Sequence, residues 1–316
     1  MIYFDTAVQD YSNLSQTEIF ADYACQEAVY LLQNEPVDIG NFILQKDQLF
    51  EHGFPMDMGT QVYIQPSPFQ RGEMFYSEND SSRFCTRCRS TFHVEMSGLQ
   101  RTSTAPICQD SDGILYNFHI HTQEPVEILK SFMKAPRANQ FNWNMSGKMF
   151  ALDVESVYTS HGQEVGRVTV VGDLGETVID AILQPRYQVY DCVTKYSGLT
   201  SEHFLYATET LESVRERIFD FINEESILVG HGLNGDLKSL RIIHSNVIDT
   251  SILYDNNGRR PSLQQLTSTH LNYQIQNGIG GHCSKEDAVA SLQLVYFGAM
   301  NPHQLPPYFR NSYSIF

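Results

Sequence analysis

The stretch Phe150-Ala-Leu-Asp-Val-Glu-Ser-Val-Tyr158 most limits what this chain can fold into. An apolar run is interrupted by two acids one residue apart, Asp153 and Glu155. In a strand, alternate side chains share a face, so both carboxylates would point the same way. Two like charges held that close are unfavourable unless something cationic sits between them. Standing alone, the pair would read as the polar face of an edge strand.

The pair does not stand alone. Residues 148–158, 167–171 and 177–183 read as three successive strands, separated by turns containing Gly162 and Gly166, then Gly172 and Gly175. Leu211, Val214, Ile218, Phe221 and Ile222 fall at helical spacing. A short apolar strand is expected over 226–230, a helix over 236–243 and a further strand over 246–253. A helix opened by Pro261 is expected over 261–270, and a last one over 285–297, capped by Ser284 and ended by Gly298. A meander of strands followed by strand–helix alternation predicts an α/β domain over 146–299, its mixed sheet covered by helices. Residues 300–316 read as a tail.

The region before this domain has a different texture. Ser15 and Glu18 are spaced as a capping box ahead of Phe20, Tyr23, Ala24, Ala28 and Leu31 at helical spacing, and Pro36 closes that element. A shorter helix is expected over 46–51, stopped by Gly53. Residues 56–82, rich in Met, Pro, Gln, Ser and Gly, read as linker, so 1–82 is taken as a helical region with its connection. Residues 83–145 form a short Cys/His segment and connector, with a helix over 126–133 and the only tryptophan, Trp143. Cys85-Thr-Arg-Cys88 lets one turn present two thiolates to a tetrahedral ion, which Cys108 and His119 would complete, with His121 close by. Zinc in such a full shell is structural, because no coordination position stays open for chemistry. Redox use of the Cys-x-x-Cys pair fits poorly, since no βαβ context follows it. The competing reading is ordinary reduced cysteines, and six in 316 residues do not form a disulfide framework.

Composition narrows the classes further. No apolar run approaches the ~20 residues that span a bilayer, and the first residues carry no basic leader pattern, so an intracellular protein without membrane contact is expected. A formal net charge of -16 argues against simple binding to a phosphate backbone. It argues less against a nuclease, in which divalent ions supply positive charge where carboxylates cluster.

Two more acids lie at element ends. Asp236 follows Gly230-His-Gly-Leu-Asn-Gly, where an acid in a first helical turn would by itself only complement the helix dipole. Asp287 lies in His282-Cys-Ser-Lys-Glu-Asp287, where Ser284 and Asp287 would by themselves form a capping box. Read together, Asp153, Glu155, Asp236 and Asp287 can hold two hard cations. His282 can then take a proton from an attacking water. That set is the apparatus of two-metal phosphodiester hydrolysis.

With these residues in hand, 150–297 resembles the DEDDh exonucleases of the Rex-type eukaryotic RNA exonuclease family. The likeness is carried by Ala151-Leu-Asp-Val-Glu155, Val157-Tyr-Thr159, Arg167-Val-Thr-Val-Val171, Tyr196-Ser-Gly-Leu-Thr200 and Ile227-Leu-Val-Gly-His231. It continues through Asp236-Leu-Lys-Ser-Leu240, Ile243-His244, Val247-Ile-Asp-Thr-Ser251, Arg260-Pro-Ser-Leu263 and Glu286-Asp-Ala288. The family usually has Cys between the first two acids and Met after the second, where this chain has Val154 and Ser156. Upstream, Leu44-Gln-Lys-Asp-Gln-Leu49, Gly53-Phe-Pro55 and Phe84-Cys-Thr-Arg-Cys88 look like the longer family members, which carry a cysteine-rich segment before the nuclease. Here that segment is shortened and lacks Cys-x-x-His-Trp.

The resemblance implies an RNase H-like fold with a central mixed five-stranded sheet flanked by helices. It implies 3′→5′ hydrolysis of RNA to nucleoside 5′-monophosphates with two Mg²⁺ or Mn²⁺, an RNA 3′ end as partner, and a nuclear address. Asp153, Glu155, Asp236 and Asp287 would be the metal ligands and His282 the general base. Ser197, Gly198 and Leu199 would border the terminal nucleotide, with Leu199 packing on its base. Two alternatives stay open: a DNA exonuclease of the same fold, because selectivity turns on contacts to the 2′-OH, and a non-catalytic nuclease-like adaptor.

Overall fold

The computed structural model describes residues 39–66, 74–77, 79–95, 97–101, 107–276 and 281–310. The helix expected around 20–31, with its Ser15/Glu18 box, lies outside the described residues.

The fold is built on one mixed sheet. Its strands are β1 (Met149–Thr159), β2 (Gly162–Val171), β3 (Thr177–Ile182), β4 (Val189–Asp191), β5 (Ile227–Gly230) and β6 (Val247–Asp249). Spatial order is β3-β2-β1-β5-β6, with the short β4 paired to the far end of β1. β1, β2 and β3 are antiparallel neighbours, whereas β1, β5 and β6 run parallel. This mixed five-strand path is the RNase H-like arrangement expected from the sequence, with β4 as a sixth, short strand. β5 is buried along its whole length, as a parallel strand covered on both faces must be.

Three helices matter for the site: α1 (Leu211–Phe221), α2 (Leu233–Leu240) and α3 (Ser284–Met300). α1 turns Val214 and Ile218 into the core. α3 is apolar nearly all round, with Ala288, Val289, Ala290, Leu292, Leu294, Val295 and Tyr296 all buried, so it serves as the central packing helix against the sheet. Residues outside the sheet join the same core: Phe42, Leu44, Leu49, Phe54 and Met56 from one end, Leu305 and Phe309 from the other.

Several elements differ from expectation for identifiable reasons. The strand expected over 246–253 stops at Asp249, whose side chain accepts from Ser251 N–H and opens a helical turn, Thr250–Leu253. The helix expected over 236–243 begins at Leu233, after Gly232 at φ +74, and ends at Leu240. Arg241 then adopts a left-handed conformation, freeing Ile242–Ile243 to pair with Met133–Lys134. The helix expected over 126–133 is a 3₁₀ segment, Val126–Ser131, because Met133–Lys134 is taken by that pairing. Ser262, not Pro261, starts the next helix: its hydroxyl accepts from Gln265 N–H ahead of Leu263–Leu266, which widens into a π turn at Thr267–Leu271. The last helix passes through Gly298 to Met300. Ser284 and Asp287 form no capping box there; the Ser284 hydroxyl instead lies 2.6 Å from that of Thr169 on β2. Residues 56–82, expected as linker, contribute short strands, including Met56–Asp57 paired with Val62–Tyr63 and Phe75–Tyr76 paired with Glu124–Pro125.

The Cys/His segment has a small core of its own: Cys85, Phe92, Val94, Cys108 and Ile120, against which Tyr158 of β1 packs. Among the described residues, no helix is long and apolar enough to cross a membrane.

Candidate active site

β1 presents the first two acids. Asp153 pairs in register with Thr169 of β2, and Glu155 with Arg167, just before a bulge at Glu155/Ser156. Burial pushes the Glu155 carboxyl up to about 7, Asp287 adds to the rise and Arg167 opposes it. Arg167 gives little relief, because its guanidinium is engaged in a two-pronged contact with Asp180, at 2.7 Å on each arm. Asp153 is held well above the usual carboxylate range by burial, then by Asp236, Asp287 and Glu155.

The partners come from distant elements. Asp236 sits on α2, whose N-terminus is tied down by the buried Asp249: its carboxylate accepts from Gly232 N–H (3.0 Å) and Leu233 N–H (2.9 Å). Ser251 donates to the same carboxylate through its N–H (2.9 Å) and hydroxyl (2.7 Å). Burial raises Asp236 well above its ordinary value, with Asp249 and Glu155 adding to the rise. Asp287 lies in the first turn of α3, and burial pushes its carboxyl up to about 7. Its Oδ2 accepts from Gln276 Nε2 at 2.8 Å, while Oδ1 is buried with no hydrogen-bond partner among the described residues.

Glu155, His282 and Asp287 each offer a ligand atom within 4.8 Å of the other two, and His282 Nδ1 lies 3.7 Å from Asp287 Oδ2. Asp153 and Asp236 fall outside that tightest set but within electrostatic range of it. Burial depresses His282 below its ordinary value, which keeps the imidazole neutral near pH 7. The result is a cluster of hard oxygen donors whose mutual repulsion, among the described residues, only Arg167 opposes. The buried, unpartnered oxygen of Asp287 in this cluster fits a divalent cation.

The 194–197 turn borders this cluster. The Ser197 hydroxyl donates to Cys192 O (2.6 Å) and accepts from Leu199 N–H (3.0 Å), so its polar capacity is spent on the turn. Leu199, expected against a base, is 1% exposed and packs on Val157 and Phe204. The side chain that does face outward is Tyr196, 56% exposed and edge-on to His282 with ring centroids 6.1 Å apart. The His282 N–H donates to Tyr196 O at 3.1 Å. Gly281, at φ +90, leaves no room for a side chain: a Cβ there would lie 2.1 Å from Thr194 O and 2.5 Å from Gly198 N. The sequence reading missed Tyr196, Gln276, Gly281 and the structural role of Asp249. Tyr196 and Asp249 stand inside the Tyr196–Thr200 and Val247–Ser251 motifs, whereas nothing local marks Gln276.

A second cluster forms upstream. One ligand atom from each of Cys85, Cys88, Cys108 and His119 lies within 4.8 Å of all the others. The Cys85 and Cys108 sulfurs are 3.8 Å apart, and Cys88 Sγ is 3.3 Å from His119 Nδ1. The turn closes with Arg89 N–H on Cys85 O (3.0 Å), Cys88 N–H toward Cys85 Sγ (3.5 Å) and Arg89 left-handed at φ 64. Gln100 clamps the backbone of His119 from both sides, accepting from His119 N–H (2.9 Å) and donating to its carbonyl (2.5 Å). Three sulfurs and one imidazole, brought together from 35 residues of chain, suit a soft tetrahedral ion.

No family profile matches the chain. It is 30% identical over 299 residues to a protein of Caenorhabditis elegans named putative RNA exonuclease pqe-1, covering 84% of this chain and 18% of that one. It is 43% identical over 150 residues to RNA exonuclease 3 of Eremothecium gossypii, covering 46% of this chain and 38% of the relative. The chain thus spans under half the length of these curated relatives. Among solved structures, the Neurospora crassa Pan2 catalytic unit matches with a TM-score of 0.47 and 23% identity, over 58% of this chain and 33% of that one. The similarity to pqe-1 extends over 84% of this chain, and the acids and histidine stand in the order of the motif, so the chain is similar to the Rex-type RNA exonucleases over most of its length.

Proposed function

We propose that this chain is a metal-dependent exonuclease that removes nucleotides from the 3′ end of RNA and releases nucleoside 5′-monophosphates. The observation that carries this reading is the buried, unpartnered Oδ1 of Asp287 in a recess ringed by Asp153, Glu155, Asp236 and His282. Repelling carboxylates kept this close have no structural use, and a bound cation is what would stabilise them. The names of the relatives, RNA exonucleases, point to the same substrate class.

Asp153, Glu155, Asp236 and Asp287 would hold two Mg²⁺ or Mn²⁺, which supply an acidified water and neutralise charge at the scissile phosphate. The protein's own part is positional. His282 Nδ1 faces Asp287, so Nε2 takes the proton of the attacking water, and its burial-lowered pKa leaves that nitrogen free to accept. Gln276 holds Oδ2 of Asp287 and so fixes the orientation of the carboxylate. The turn at Ser197, Gly198 and Leu199 would border the terminal nucleotide through its backbone, since the Leu199 side chain is in the core. Cys85, Cys88, Cys108 and His119 would hold one Zn²⁺ with a structural role only, because all four donors are supplied by the chain.

A 5′-labelled RNA incubated with the protein should shorten stepwise from its 3′ end in Mg²⁺ or Mn²⁺. That shortening should vanish in Asp153→Asn and in EDTA. Full activity in EDTA, or products that keep the 3′ nucleotide, would overturn the reading. Atomic emission should find one zinc per chain, lost in Cys108→Ser.

A further inference from the structure

Between the Cys/His knuckle and the sheet lies a cavity of about 300 Å³, lined among others by Arg87, Leu115, Tyr116, Phe118, Tyr190 and Asp191. Its walls are aromatic. Phe118 and Tyr190 stack face to face with centroids 4.1 Å apart and planes within 8°. The Arg87 guanidinium lies 3.4 Å over the Tyr116 ring, donates to Phe118 O at 3.2 Å and pairs with Asp191. Arg87 is therefore neutralised, and the slot offers an unattached phosphate little. At its mouth, Leu115 (61% exposed) and Phe118 (40% exposed) stand open to solvent beside the exposed amide of Asn117. Flat aromatic faces set beside the Arg87–Asp191 pair and the Asn117 amide suit a planar, uncharged ring that carries hydrogen-bonding groups on its rim.

The slot is continuous with the catalytic rim. Asp191 Oδ1 accepts from Val193 N–H at 2.7 Å, and Val193, left-handed at φ 51, leads into the Thr194–Ser197 turn. That turn contacts His282 through Tyr196. Along β1, Asp191 sits opposite Tyr158, three residues past Glu155. At the rise of a strand, Tyr158 lies about 10 Å along β1 from Glu155, and the slot lies beyond it, across the pairing with Asp191.

We propose that this slot receives a base of single-stranded RNA upstream of the nucleotide being removed, so that the knuckle segment is part of the substrate site. This rests on the exonuclease reading above. The site would make the enzyme discriminate by substrate length, because a dinucleotide offers only one base upstream of the metal site, too near it to pass Tyr158 into the slot.

The test uses the full chain with Phe118→Ala and Asn117→Ala, and compares an RNA of about ten nucleotides with a dinucleotide. Each variant should lower kcat/KM on the longer RNA roughly ten-fold more than on the dinucleotide, with the change carried by KM. Anisotropy of the same labelled RNA in EDTA should show matching weakening, a readout independent of turnover. Because Phe118 adjoins His119, zinc content is measured alongside. If Phe118→Ala releases zinc, Asn117→Ala alone decides. Equal losses on both substrates, or none on either, overturn the slot. A wild-type protein inactive on both substrates would instead overturn the exonuclease reading.

Discussion

Replacing Glu155 by Gln should make the metal-free protein more stable above neutral pH while destroying its metal site. The Glu155 carboxyl is raised from 4.5 to about 7 in the fold. A carboxyl raised in the folded state destabilises that state when ionised. The penalty is absent below the unfolded value of 4.5 and grows as pH rises through about 7. At 1.36 kcal/mol per unit, the full penalty is about 3 kcal/mol. The buried amide of Gln pays part of its own desolvation, so a net gain of about 2 kcal/mol at pH 8 is expected, or roughly 4–8 °C in Tm. Scanning fluorimetry in EDTA should show wild type losing stability between pH 5 and pH 8 and Glu155→Gln losing much less. Millimolar Mn²⁺ at pH 8 should reverse the order, because only wild type binds the ion well. A Glu155→Gln protein less stable than wild type in EDTA at pH 8, with the same pH slope, would refute the crowded-acid argument.

Other expectations are simpler. Asp249→Ala removes two hydrogen bonds from the α2 N-terminus and two from Ser251, and should cost about 3–5 kcal/mol in chemical denaturation, with activity lost as Asp236 shifts. Gly281→Ala should cut turnover at least about ten-fold while leaving Tm within a few degrees, since the clash falls on the Thr194–Gly198 turn beside His282 and not on the core. His244 is 3% exposed, bonded through Nε2 to Ser226 O at 2.8 Å, and depressed by burial to about 4. Its neutral form is the one the fold keeps, so stability should fall as pH drops from about 6.5 toward 4, by up to about 3 kcal/mol, and His244→Gln should flatten that arm of the pH–stability curve.

How much could be read beforehand differs from element to element. β1, β3, β5, α1 and the 46–51 helix were legible because each carries its own periodicity and its own stop signal. Misreadings cluster where a side chain found a partner far away. Ser284 and Asp287 have the spacing of a capping box, yet Thr169 takes the hydroxyl and the acidic recess takes the carboxylate. The 246–253 run carries Val247, Ile248, Ile252 and Leu253, enough apolar residues to read as a strand, yet Asp249 gathers four donors and turns the chain into a helix. Leu199 is hydrophobic and sits in a motif expected to meet substrate, yet Val157 and Phe204 offer it a dry pocket.

By itself the sequence determined which residues are chemically competent and in what order they occur. Asp153 and Glu155 share a strand face by the two-residue period of the backbone alone, and Cys85 and Cys88 share a turn by their spacing. Tertiary structure decided which of these residues meet. Only packing of α3 on the sheet brings Asp287 to Glu155, and only the fold of the knuckle brings Cys108 and His119 to the Cys-x-x-Cys turn. Local spacing sets directions over one or two turns, whereas the protonation of these acids and the orphaned oxygen of Asp287 arise from burial shared by residues more than a hundred positions apart.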